Sequence, residues 1–160
     1  METLYFDLLG FVYHLALAVI VGGAIALGTA VAPAVFRAAR TRSEGGRLFG
    51  AILARYDQLA IYALVLLVLA SVLRFFAFED TAVDARLVAR WVALALLAAG
   101  VLYGAAWAGP LARALHRGTP DFDALPETSP ARREFARLHR AASRAMRLVV
   151  LSGLVALFLS

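Results

Sequence analysis

The residues of this chain with chemistry to offer are three histidines, a Tyr-Asp pair and a helically spaced set of arginines. His14 stands among Val12, Tyr13, Leu15 and Ala16. A neutral imidazole so placed can ligate haem iron or a metal, carry a proton, or hydrogen-bond to a neighbouring helix. Gly22 lies two helical turns along on nearly the same face, so a flat ligand could rest against that backbone. The run Arg55-Tyr56-Asp57-Gln58 puts four polar side chains at the mouth of an apolar segment, and they cannot all face lipid. Asp57 is expected to meet an arginine of the last helix, either as a salt bridge or as part of a binding site. Arg133, Arg137, Arg140, Arg144 and Arg147 follow at intervals of 4, 3, 4 and 3 residues, a heptad stripe that suits snorkelling to phosphates or an anion-binding strip. His139 and Ser143, four apart, share a different face. Arg74, Arg86 and Arg90 flank a second connection. Arg90, beside Trp91, could bind a haem propionate or lipid phosphate, or pair with Asp7, Glu79 or Asp84. His116, next to Gly118, is expected to be solvated.

The elements that must position these groups are transmembrane helices. Hydrophobic residues make up 62% of the 160 positions, only 17% are charged, and the mean hydropathy is +0.79. A soluble domain carries about a quarter charged residues. A helix that crosses a bilayer needs about 20 mostly apolar residues. Candidates run from about Leu8 to Phe36, with Pro33 near the exit, from Leu53 to Phe78, and from Leu87 to Leu111, stopping near Gly109-Pro110. The fourth runs from about Pro130 to the C-terminus, amphipathic at first and immersed from Leu148 onward. The fold class expected is an all-α, integral membrane four-helix bundle forming a single domain over residues 1–160. Arg37 to Gly46 reads as a basic, turn-rich connection, Glu79 to Arg86 as a short one, acidic at first. Gly118 to Pro130 reads as a loop, with Pro120, Pro126, Asp121, Asp123 and Glu127. Ala24, Gly28 and Ala32 on the first helix, and the Ala- and Gly-rich third helix, predict a close approach of those two.

All 16 basic residues are Arg, and 13 of them lie between Arg37 and Arg55 or between Arg113 and Arg147. Basic connections stay on the cytoplasmic side, which places both termini on the non-cytoplasmic side. The N-terminus has Glu2 and Asp7 in place of a basic n-region, so the first apolar run is expected to be retained. The location expected is the inner (plasma) membrane, multi-pass, with anionic headgroups as partners. The arginines border apolar runs, which argues against nucleic acid in spite of the pI near 10.4. The absence of Cys excludes disulfides, thiolate metal sites and Cys nucleophiles.

Several of these residues recur in one pattern. His14, Gly22-Gly23, Pro33 and Phe36, then Leu48-Phe49-Gly50 and Tyr56, then Trp107-x-x-Pro110, then Phe135-x-x-x-His139-x-x-x-Ser143, follow in order. With them the chain resembles the four-helix membrane family of unknown function that includes eukaryotic transmembrane protein 205. It departs at Gly104 and Met146, where relatives tend to carry Asn, so an Asn-lined polar site would be changed here. More distantly it resembles the copper-resistance D membrane proteins and the small bacterial protoporphyrinogen oxidases. That resemblance implies a haem or metal contact for His14. Copper transport fits poorly with no Cys and with Met146 the only Met beyond the first residue.

The function expected is to bind or move a ligand at a polar intramembrane site. The contacts expected are His14 and Arg90 toward the outer side, with Tyr56, Asp57, His139, Ser143 and Arg147 toward the inner side. The alternatives are a haem-binding redox protein with His14 as axial ligand, and a structural or assembly factor. The sequence leaves an oligomer open.

Overall fold

Each apolar run becomes a helix that outlasts the run itself. The computed structural model describes all residues except 1, 80–83, 120, 121 and 127. It contains α1 (Thr3–Ala38), α2 (Arg42–Phe78), α3 (Ala85–Gly118) and α4 (Pro130–Phe158), all long and apolar enough to cross a membrane. There are no strands among the described residues. The shortest helix, at 29 residues, rises about 43 Å against about 30 Å of hydrocarbon, so every helix has turns to spare outside the apolar layer. Of the expected loop residues, Pro120, Asp121 and Glu127 lie outside the described residues, as does Asp80 in the α2–α3 connection.

Pro110 was expected close to the end of its helix and does not end it, and Pro33, expected as a kink or exit in a helix ending near Phe36, lies inside a helix that runs to Ala38. The Ala32 N–H bonds back to the Leu27 carbonyl, and the Gly109 N–H to the Gly104 carbonyl, each five residues earlier. These bonds close wide π-helical turns over Leu27–Val31 and Leu102–Ala108. Pro33 and Pro110 come immediately after them, at the start of the next α-helical stretch. A proline inside a regular helix clashes with the carbonyl four residues back and donates no bond. A widened turn just before it absorbs both problems, and α1 and α3 continue.

α2 begins at Arg42, well before the expected start near Leu53. Thr41 is its N-cap, accepting from the Glu44 N–H at 3.1 Å, while Glu44 Oε2 accepts from the Arg40 N–H at 2.9 Å. That reciprocal pair is a capping box, displaced by one residue on the return arm. The polar stretch after it is thus helix, not turn. Asp84 caps α3 in a similar way, accepting from the Leu87 N–H at 2.8 Å. Ser129 precedes Pro130 as the N-cap of α4.

The close helix pairs are α1 with α2 and α3 with α4. The expected α1–α3 pairing through small residues does not form as such, because α4 comes between. Gly153 of α4 faces Val21 of α1 on one side and Leu97 of α3 on the other. Gly100 lets α3 settle on α4, where a Cβ would lie 2.7 Å from Val149 Cγ2. In lipid such close packing replaces hydrophobic burial as the driving force. Gly22 and Gly28 face open space. Tyr13, Leu17, Ile20, Leu67 and Leu97 are fully buried within one apolar core cluster. The outward faces are apolar too, with Leu66, Leu69, Leu102, Leu151 and Phe158 exposed, as a lipid-facing surface requires.

Candidate functional site

Polar side chains collect at the two ends of the bundle, with the apolar core between them. At the end that carries Ser160, the last turn of α2, the first turns of α3 and the C-terminal residues after α4 line an open pocket of about 310 Å³. Its polar lining comes from Arg74 of α2, Asp84, Arg86 and Arg90 around the start of α3, and Ser160. Phe78, Leu87 and Leu159 complete the wall. Arg86 and Arg90 are four residues apart and so share one helix face. Arg90 is buried, at 6% exposure. Arg86 donates from Nε to the Leu159 carbonyl at 3.2 Å and from Nη2 to the Ser160 carbonyl at 3.4 Å, which ties α3 to the end of α4. The Arg74 guanidinium lies 5.2 Å from the Phe6 ring centre and 5.9 Å from that of Tyr13, within cation–π range.

His14 borders the same end through Ser160. Its Nδ1 is 2.7 Å from the Gly10 carbonyl, one turn back, and its Nε2 is 3.1 Å from Ser160 Oγ. A carbonyl can only accept, so Nδ1 carries a proton in this arrangement. His14 is exposed. Arg90 and His14, expected together toward one side, do reach the same end of the bundle, with Ser160 adjoining both.

At the opposite end Asp57 is buried, and its partner is not on α4. Arg113, on the stretch of α3 beyond Pro110, donates from Nη1 to Asp57 Oδ2 at 2.8 Å. The expected pairing of Asp57 with an α4 arginine is therefore corrected. All five stripe arginines, Arg147 included, are exposed, and two of them are taken up locally. Arg133 donates to the Thr128 carbonyl, and Arg137 pairs with Glu134. An α4 turning its arginine stripe outward presents Ala142, Met146 and Val149 inward instead. Gly109 makes room for the ion pair, since a Cβ there would stand 3.3 Å from Asp57 Oδ2 and 3.1 Å from Arg113 Nη1. Tyr56 donates to the Ile20 carbonyl at 2.6 Å. Its ring lies so close to Gly23 that a Cβ would come within 2.5 Å of Cε2. A void of about 50 Å³ lies against Tyr56, Asp57, Gly104 and Met146, room for water and little else.

His139 and Ser143 do not join this cluster. Ser143 Oγ donates to the His139 carbonyl at 2.8 Å, a bond within α4. The His139 ring stacks on Phe135 with 9° between planes. His116, expected to be solvated, is half-buried and packs on Phe122 at 4.6 Å and Phe135 at 5.8 Å. One ring comes from the α3–α4 connection and the other from α4. Among the described residues no three His, Cys, Asp or Glu side chains converge as metal ligands.

Sequence reasoning missed Arg113 and Ser160. Arg113 was hidden by the expected helix stop at Gly109-Pro110. Ser160 carried no local signal, since only the packing of α4 brings it to His14.

A family model described as a domain of unknown function (DUF4149) matches residues 15–120, from just after His14 to the end of α3. The match includes Tyr56, Asp57, Arg74, Arg86, Arg90 and Arg113, and leaves out α4. No curated protein and no solved structure matches the chain. The family match covers more than half of the sequence, and the chain belongs to the DUF4149 family of unknown function.

Proposed function

We propose that this chain is an integral membrane protein that binds a small ligand in the arginine-lined pocket at the Ser160 end of the bundle. The observation that carries the reading is the pocket itself. At about 310 Å³ it reaches the size range of small-molecule sites, about 300–1,000 Å³. Its mixture of a few fixed polar groups with apolar walls is also what such sites use. The void at Asp57 is too small for that role, and its ion pair joins α2 to α3. Binding is favoured over movement because buried apolar side chains, among them Leu17, Ile20, Leu67 and Leu97, fill the core between the two ends.

The arginine-rich connections all lie at the other end, which under the positive-inside rule is cytoplasmic. Both termini and the pocket then face the non-cytoplasmic side of a plasma membrane. The resemblance to the transmembrane protein 205 family extends to a four-helix membrane plan and supplies no ligand.

The natural absence of Cys provides the test. Leu159→Cys puts one thiol in the pocket wall. With an occupied pocket, maleimide labelling of that thiol is slow in native membranes and fast after exhaustive delipidation in detergent. Equal rates in both states would remove the reading.

A second reading, a haem-binding redox protein with His14 as axial ligand, draws on one observation. The Nδ1–Gly10 bond fixes the ring as second-shell carbonyls fix metal-ligating histidines, leaving Nε2 basic. Against it, Nε2 already meets Ser160 Oγ. An absorbance spectrum after expression with ample haem separates the two readings. A Soret band abolished by His14→Ala favours haem, and the absence of a band excludes it.

A further inference from the structure

We infer that the outward face of α4 holds an anionic phospholipid on Arg144 and Arg147, at a site separate from the pocket at the Ser160 end. Both side chains are exposed. Arg133 and Arg137, earlier on the same stripe, are taken up by the Thr128 carbonyl and by Glu134. Arg144 and Arg147 have no hydrogen bond or ion pair among the described residues. Phe122 of the α3–α4 connection packs on Phe135 at 5.2 Å. Arg144 and Arg147 lie nine and twelve residues beyond Phe135, about 13 and 18 Å along the axis.

Depth sets this pair apart from the other arginines of that end. Gly109 of α3 is level with Asp57, and Gly104 with Ala145 of α4. Arg144, next to Ala145, therefore sits about 7 Å inward from the Asp57–Arg113 pair, and Arg147 about 4 Å further. A charged side chain inside the hydrocarbon needs a partner or a route to the interface. Helical side chains lean toward the N-terminus, which for α4 is the nearer surface, so both guanidinium groups rise toward headgroup depth. Arginine meets phosphate with paired N–H donors. Leu148 and Leu151, also exposed, follow Arg144 and Arg147 by four residues each on the same face. The face thus presents charge where a headgroup sits and apolar surface where its acyl chain runs. A zwitterionic lipid offers the same phosphate but sets an ammonium beside two cations, which selects for a lipid of net negative charge. A second copy of the chain does not fit, because it brings the same stripe and its Asp57 is buried against Arg113.

The experiment is native mass spectrometry of the full chain in detergent, titrated with phosphatidylglycerol and with phosphatidylcholine of the same acyl chains. Tighter binding of phosphatidylglycerol is expected. Arg144→Gln/Arg147→Gln should weaken it about thirtyfold, from about fivefold for each arginine near an anionic headgroup. Each single substitution should cost about fivefold, and the single variants serve if the double one fails to fold. Arg42→Gln/Arg47→Gln, an equal loss of charge on the exposed first turns of α2, should leave binding unchanged. Equal affinity for the two lipids overturns the proposal. So does phosphatidylglycerol binding that survives the α4 substitutions, or equal weakening by the α2 and α4 double variants.

Discussion

Arg113 reaches 2.8 Å from the Asp57 carboxylate, and the two are brought together from α3 and α2 on the far side of a proline. The pair is largely shielded, with 22% of the Arg113 side chain and 9% of the Asp57 side chain exposed. Removing one partner leaves the other charged and poorly solvated. Asp57→Ala is expected to cost about 3 kcal/mol, the low end for a broken buried pair because Arg113 keeps some solvent. Asp57→Ala/Arg113→Ala together should recover most of that loss. Chemical denaturation in mild detergent measures both, and a double variant less stable than the single one would contradict the account.

Tyr56→Phe deletes the hydroxyl that donates to the Ile20 carbonyl but keeps the ring against Gly23. The expected loss is about 1 kcal/mol. Gly23→Ala is expected to be worse, since it forces the ring away and takes the hydrogen bond with it. The order of thermal midpoints, wild type above Tyr56→Phe above Gly23→Ala, is the measurement.

Glycines separate into two classes by what surrounds them. A Cβ at Gly100 would meet Val149 Cγ2 at 2.7 Å and the Ala145 carbonyl at 3.2 Å. Gly100→Ala should therefore cost about 1–3 kcal/mol by overpacking. Gly22→Ala and Gly28→Ala, with nothing within 4 Å, should stay within about 0.5 kcal/mol of wild type. If all three variants behave alike in thermal unfolding, the α3–α4 contact is not as close as described.

The proposed orientation makes its own forecast. Gly46→Cys, on the exposed first turns of α2, and Thr3→Cys, at the start of α1, each introduce a single thiol. In intact cells a membrane-impermeant maleimide should label Thr3→Cys at once and Gly46→Cys only after permeabilisation. The reverse pattern would turn the bundle over and put the arginine pocket on the cytoplasmic side.

The four helices were legible because uninterrupted apolar runs of bilayer length have few other uses. Their ends were not. The Thr41-x-x-Glu44 capping signal is present in the sequence, but Gly45, Gly46 and the surrounding charges outweighed it, and α2 begins there. Pro110 reads as a stop because a widened turn before a proline has no composition of its own. That misreading of Pro110 concealed Arg113, and with it the true partner of Asp57. The exposed arginine stripe followed directly from its heptad spacing. His14 and Arg90 were singled out by polarity alone, and their common neighbour Ser160 is set by helix packing, which no local pattern records. Arg74 and Arg86 stood out as flanking charges, but their convergence on one pocket depends on the tilt and length of α2 and α3.

The wide turn over Leu102–Ala108 acts on the helix as a phase shifter. Each residue of an α-helix advances about 100° around the axis, so the added residue of that turn sets the bearing of everything after it. Wound as an unbroken α-helix with the same number of residues, the segment would carry Arg113 about 100° further around the axis and away from Asp57. The winding between Gly104 and Arg113, as much as the identity of the residues, decides whether the two charges meet.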